Sequence, residues 1–215
     1  MSSEPLVHLL RESAGEPAGA LVLLHGRGAD EHDLVPVLDA LDPERRLVGL
    51  TPGAPLPGPG GGRWWYQVPR VGYPDPETFH ASYARLTGFL DDWLAERGMG
   101  WERTIIGGFS MGCVMSYAVG LGPGRPSPAG ILALSGFIPT VERWEPELTG
   151  RPGLPVLIVH GARDPVISVD FVVTPGRACN PPESPSSTTN TTAATTSIQR
   201  PWRSCRRGSG RAAGH

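Results

Sequence analysis

The stretch RTIIGGFSMGCVMSYAVGL, residues 103–121, decides the fold. Its first part, RTIIGGF (103–109), is a continuous apolar run ended by turn residues, the pattern of a buried strand. Its last part places Val114, Met115, Ala118 and Leu121 at helical spacing. Between them stands GFSMG (108–112), a G-x-S-x-G in the context of strand, tight turn and helix. The turn is so sharp that side chains at 108 and 112 would strike the adjoining strand and helix. The same turn presents the Ser110 hydroxyl at a helix N-terminus, where the dipole favours developing negative charge. A helix-capping serine is the plainer alternative, and the strand and helix on either side favour a nucleophile.

Working outward, the body alternates β-rich runs with helical periods, which predicts a doubly wound, mostly parallel sheet flanked by helices, an α/β fold. ALVLLHG (20–26), RRLVGLTPG (45–53), GILALSG (130–136) and LPVLIVHG (154–161) are the other strands. Leu34, Val37, Leu38 and Leu41 fall on one face of a helix whose first turn tolerates Pro36. A second helix opens at DPETF, where Asp75 can cap, Pro76 suits the first position and Glu77 complements the dipole. Phe79, Tyr83, Leu86, Leu90 and Trp93 form its apolar face, and Gly98 stops it. In such a sheet the chemistry belongs at the carboxyl ends of the strands.

Two further motifs meet that expectation. LLHGRGAD (23–30) follows an early strand, where acyl transfer needs one backbone N–H for the oxyanion; the other follows the nucleophile. Arg27 and Met111 are the residues so placed, and their amides matter more than their side chains. His25 reads as a buried structural histidine bonded to the loop backbone rather than a base. VLIVHGARDPVI (156–167) runs out of a strand into Asp164, an acid in the right order after the serine, with a capping aspartate as the alternative.

Together LLHGRGAD, GGFSMG, LALSGF and VHGARDPVI resemble the phospholipase/carboxylesterase family of α/β-hydrolases, which includes acyl-protein thioesterases, over residues 21–169. The resemblance implies a serine hydrolase of carboxylic esters or thioesters without metal or cofactor. It matches Ser110 to the nucleophile, Asp164 to the triad acid, and Arg27 and Met111 to the oxyanion donors. Trp64 and Trp65, in GGGRWWYQV (60–68), fall where such enzymes carry a loop bordering the acyl pocket, although buried aromatics are more often core. The glycines there lack a following Lys-Ser/Thr, which argues against a phosphate loop.

Composition narrows the class and exposes a break. The net charge is -2 and no basic stripe occurs in the first 170 residues, which argues against a nucleic-acid partner. No apolar run is long enough to span a bilayer, and the first residues lack the positive charge of a secretory signal, so a cytoplasmic protein without stable membrane insertion is expected. Cys113, Cys179 and Cys205 have no metal-like spacing and suit a reducing compartment. Oligomeric state is not legible.

Residues 1–170 carry 13 Arg against 20 Asp plus Glu, whereas residues 171–215 carry six Arg and one Glu, seven threonines and no leucine. We read 1–170 as a hydrolase core lacking its last strand and helix, and 171–215 as a low-complexity tail that buries too little apolar surface to order itself.

The break also removes a residue the chemistry needs. In the family a histidine follows the acid by about thirty residues, in a Gly-His pair after a final strand; an imidazole is the natural base near neutral pH. That interval here holds no histidine, and His215 follows a glycine only as the last residue. One reading is a genuine Ser/Thr/Pro-rich spacer. The other is a shifted reading frame. Basic positions are all arginine and Gly, Ala and Pro abound, pointing to a GC-rich gene. Joining each codon's third base to the next two lets TTAATTSIQ (191–199) read Asp-Arg-Gly-His-His-Ile-Asp-Pro, and ESPSS (183–187) read Val-Thr-Val-Leu. This places a strand, then Gly-His, with the first histidine at the position of Thr195. We favour the shifted frame. A binding protein with a real interaction tail remains the alternative from another class.

Overall fold

A computed structural model describes residues 5–70 and 72–161, together with the backbone of 191–197. Its main sheet takes strands β1 (His8–Arg11), β2 (Ala20–Leu24), β3 (Val48–Pro52), β6 (Thr104–Phe109), β7 (Gly130–Leu134), β8 (Pro155–Gly161) and β9 (Thr191–Ser197). β4 (Leu56–Pro57) and β5 (Arg63–Trp64) form a separate small ribbon. Three α-helices are described: α1 (Val35–Leu41), α2 (Pro76–Glu96) and α3 (Met111–Leu121). The sheet order is β1-β3-β2-β6-β7-β8-β9, with β3, β2, β6, β7 and β8 parallel and both edge strands antiparallel.

The apolar runs are continuous because the central strands are covered on both faces. Alternation sorts their side chains. Ala20, Val22 and Leu24 of β2, with Ile131 and Ala133 of β7 and Val156 of β8, join α2 and α3 in one large cluster. Leu21, Leu23 and Leu132 point the other way, onto Leu34 and Leu38 beside α1. All of α3 is buried. α2 forms as the sequence predicts: Asp75 Oδ1 accepts from the Thr78 N–H at 2.9 Å, Pro76 opens the helix, and Gly98 follows its end at φ 61°. Phe79, Leu86, Leu90 and Trp93 are its buried stripe. The short α1 departs from expectation, since Leu38 is its only buried residue and Leu41 is 48% exposed. Its amphipathic stripe ends a turn early, where Asp42 leaves the helix.

The α1 side of the sheet is thinly covered. Toward β8 on that face, Leu134 is half-buried and Leu157 is 37% exposed. β9 lies within the segment whose composition predicts no ordered core. Its threonines are good strand formers, and its backbone pairs along the outer edge of β8 from Thr191 opposite Gly161 to Ser197 opposite Pro155. Thr195 sits opposite Leu157, toward the start of β8 and away from the carboxyl ends of the parallel strands. The remaining residues of 171–215, His215 included, lie outside the described residues, as does Asp164.

The chain winds from β2 through α1 to β3 in one direction, and from β6 through α3 to β7 in the other, with the two helices on opposite faces. β2 and β6 are neighbours, Leu24 opposite Gly108, so the loops leaving them diverge and open a crevice between them. This is the topological switch point at which open α/β sheets bind ligands.

Candidate active site

Ser110 stands at that point with φ 51° and ψ -113°, a conformation costing about 1–3 kcal/mol for a side-chain-bearing residue. The surroundings enforce it. A Cβ on Gly108 would lie 2.6 Å from the Gly112 carbonyl, and one on Gly112 would collide with the Leu24 carbonyl oxygen. The Ser110 N–H donates to the Leu134 carbonyl at 2.9 Å, tying the turn to β7. Although Ser110 occupies the N-cap position of α3, its side chain makes no capping hydrogen bond. The capping alternative therefore does not describe the serine, whose hydroxyl is left for another partner.

Ser110 lines a cleft of about 470 Å³, including its open mouth, with Arg27, Met111, Tyr66, Val68 and Phe137 among its walls. The structure thus brings Ser110, Arg27 and Met111 together, as the sequence suggested. Neither the Arg27 nor the Met111 amide has a hydrogen-bond partner among the described residues. Two unspent donors and one unspent hydroxyl share one cleft. Cys113, the nearby thiol, is fully buried behind the elbow, and burial pushes its pKa up, so it stays neutral.

A network invisible in the sequence holds these groups. Trp65 is fully buried. Its backbone N–H donates to Met111 Sδ at 3.2 Å and its indole N–H to the His25 carbonyl at 2.9 Å. It therefore fastens the elbow to the loop after β2. His25 completes the brace. Its Nε2 accepts from the Ala54 N–H at 3.0 Å, so the proton resides on Nδ1, which donates to the Gly26 carbonyl at 2.7 Å. The structural reading of His25 holds, since both ring nitrogens are engaged with backbone. Trp65 is core, Tyr66 lines the cleft, and Trp64 is half-buried beside Arg27, so the tryptophan pair divides between packing and surface. The aromatic run after the glycines was the signal for this brace; its hydrogen bonds were not readable from it.

Burial lowers the His25 pKa, against weaker raising effects from its Gly26 bond and nearby acids. Between the lowered folded value and the ordinary 6.5, the unfolded chain binds more protons than the folded one. His25 therefore contributes stability that is complete above about pH 6.5 and declines as pH falls below it, with a slope of up to about 1.4 kcal/mol per pH unit. Thermal melts from pH 7.5 to 5.5 are expected to show a steeper loss for the native chain than for His25→Asn. Equal slopes would refute the assignment.

The sheet and the elbow define an α/β-hydrolase. This chain belongs to the phospholipase/carboxylesterase family, whose profile matches residues 9–179. Acyl-protein thioesterase 1 of Debaryomyces hansenii is 27% identical over 190 residues, covering 77% of this chain and 79% of that protein. The Schizosaccharomyces pombe protein of the same name is 36% identical over 88 residues, 40% of this chain and 38% of that one. Among solved structures, esterase PE8 aligns with TM-score 0.65 and 28% identity over 78% of this chain and 80% of that chain. The Bacillus cereus carboxylesterase aligns with TM-score 0.65 at 21% identity, over 77% and 75% of the two chains, a likeness of fold. The family and these relatives are ester and thioester hydrolases.

Proposed function

We propose that the Ser110 cleft is the nucleophile half of a serine esterase or thioesterase site for small or acyl esters, acting without cofactor in the cytoplasm. Ser110 Oγ bonds to the ester carbonyl carbon, and the carbonyl electron pair moves onto oxygen, to which the Arg27 and Met111 N–H groups donate hydrogen bonds. The serine proton passes to a histidine oriented by Asp164 and then to the departing alkoxide or thiolate. The observation that carries this reading is the left-handed φ of Ser110 at a strand-to-helix turn, its hydroxyl and the Arg27 and Met111 amides without hydrogen-bond partners among the described residues around one cleft.

The described residues supply no base. None of the described histidines lines the cleft. His25 is spent on backbone, His8 bonds the Leu6 carbonyl, His32 pairs with Asp30, and His80 bonds the Glu142 carbonyl. His160 is buried in β8. We read this chain as impaired for that reason, left with the residual catalysis of oxyanion donors and binding.

A fluorophosphonate probe followed by peptide mass spectrometry tests the reading. Slow labelling confined to Ser110 is expected. Fast stoichiometric labelling would overturn the impairment, and its loss in His215→Ala would identify His215 as base. Labelling that persists in Ser110→Ala would sink the elbow assignment. A cleft with no histidine among its described walls also favours a second reading, a binding protein that seats esters without turnover. It expects ester binding with no labelling, even when the chain's frame is restored.

A further inference from the structure

We propose that the Ser110 cleft selects esters carrying a carboxylate, seated on the Arg27 guanidinium at its mouth. This rests on the cleft being the ester site. Arg27 is exposed and lines both the Ser110 cleft and the adjoining groove walled by Leu56, Pro57 and Trp64. Its guanidinium carbon lies 4.0 Å from the centroid of the Trp64 ring. Stacking of this kind holds the planar cation in place while its N–H edge remains available to a planar acceptor.

No carboxylate among the described residues claims that edge. Among the described residues, none pairs with Arg27. The acids beside it are engaged elsewhere. Glu31 lies 3.5 Å from Arg63 Nε, and Asp75, which lines the same groove, accepts from both the Thr78 N–H and its hydroxyl as the cap of α2. A second cation reinforces the field: Arg70 stacks 3.6 Å over Tyr73, itself a wall of the cleft. The other titratable group facing the cleft, Tyr66, is kept neutral by burial. A cation at the cleft and another over one of its wall residues stand out on a body whose residues 1–170 hold 13 Arg against 20 Asp plus Glu. Deeper in, Tyr66, Val68, Val114 and Phe137 offer an apolar wall. The complementary ligand has an apolar body and an anionic end.

The test uses the full chain with Ser110→Ala, which keeps the cleft and prevents turnover. Monomethyl suberate and dimethyl suberate are titrated by calorimetry. The half-ester is expected to bind about tenfold tighter, the effect of one charged hydrogen-bonded pair, although it is the less apolar of the two. The ratio should fall to about one with Arg27→Met added, return in part with Arg27→Lys, and shrink as salt rises. Equal affinities, a preference that survives Arg27→Met, or binding of neither ester would overturn the proposal. Binding here does not use the serine hydroxyl. Its failure leaves the nucleophile assignment to stand or fall on probe labelling, and failed labelling leaves the anion preference intact.

Discussion

Expressed in the reading frame that places Gly-His at residues 194–195, this protein is expected to gain about 10⁴-fold in kcat/KM for a simple ester, the scale of restoring one missing triad member. The sheet explains why position 195 of the present chain would not serve as that base. In parallel strands the carboxyl ends collect on one edge, the edge that carries Ser110 after β6 and the Arg27 loop after β2. A strand parallel to β8 would run out at that edge and deliver the residues following it to the elbow. β9 runs the opposite way, which leaves position 195 beside Leu157 rather than at the edge. The restored segment would also bring a closing helix for the face on which Leu157 is exposed, so thermal stability should rise together with activity.

The check begins with the encoding DNA from the codon of Val169, translated in all three frames. Both chains are then assayed on p-nitrophenyl butyrate, with Ser110→Ala in each. A gain abolished by Ser110→Ala is the expected result. A restored chain no faster than the present one, or no frame with a strand and Gly-His, would defeat the frame-shift reading and return attention to a binding protein.

Arg11→Met is expected to destabilise the fold by about 3–5 kcal/mol, the effect of stranding one member of a buried ion pair. The Arg11 and Asp42 side chains are 6% and 9% exposed, and Arg11 Nη2 lies 2.6 Å from Asp42 Oδ2. Both Nη groups of Arg11 and both carboxylate oxygens of Asp42 are hydrogen-bonded. Arg11 also donates to the Leu38, Asp42 and Leu47 carbonyls, and Asp42 accepts from the Arg46 and Leu47 N–H groups. One ion pair thus ties edge strand β1, the end of α1 and the turn into β3. Urea titration measures the loss. Adding Asp42→Asn to Arg11→Met should recover part of it, because no buried charge then remains unpaired. A loss below about 1 kcal/mol would place the pair among ordinary surface bridges.

Much of this protein is legible in its sequence. The five parallel strands, the capped α2 and the elbow were readable because each rests on local spacing: a run ended by turn residues, Asp75 three before Thr78, small residues flanking Ser110. Strand β1 was not, since its four residues earn their place only by pairing antiparallel with β3. Leu41 was assigned to a core it does not join, because helical period cannot report where a helix ends against its neighbours.

At the site the division follows the same line. Sequence by itself determined the elbow, the order of strands and helices, and the two loops able to donate amides, because those are properties of consecutive residues. Tertiary structure decided that Trp65 bridges His25 and Met111, that both ring nitrogens of His25 are committed to backbone, and that Arg27 stands over Trp64 at the mouth of the cleft. Apart from His25 and Gly26, these partners lie far apart along the chain. Only the register of β2 against β6 brings their loops within hydrogen-bonding reach, and a register is set by the packing of both sheet faces at once.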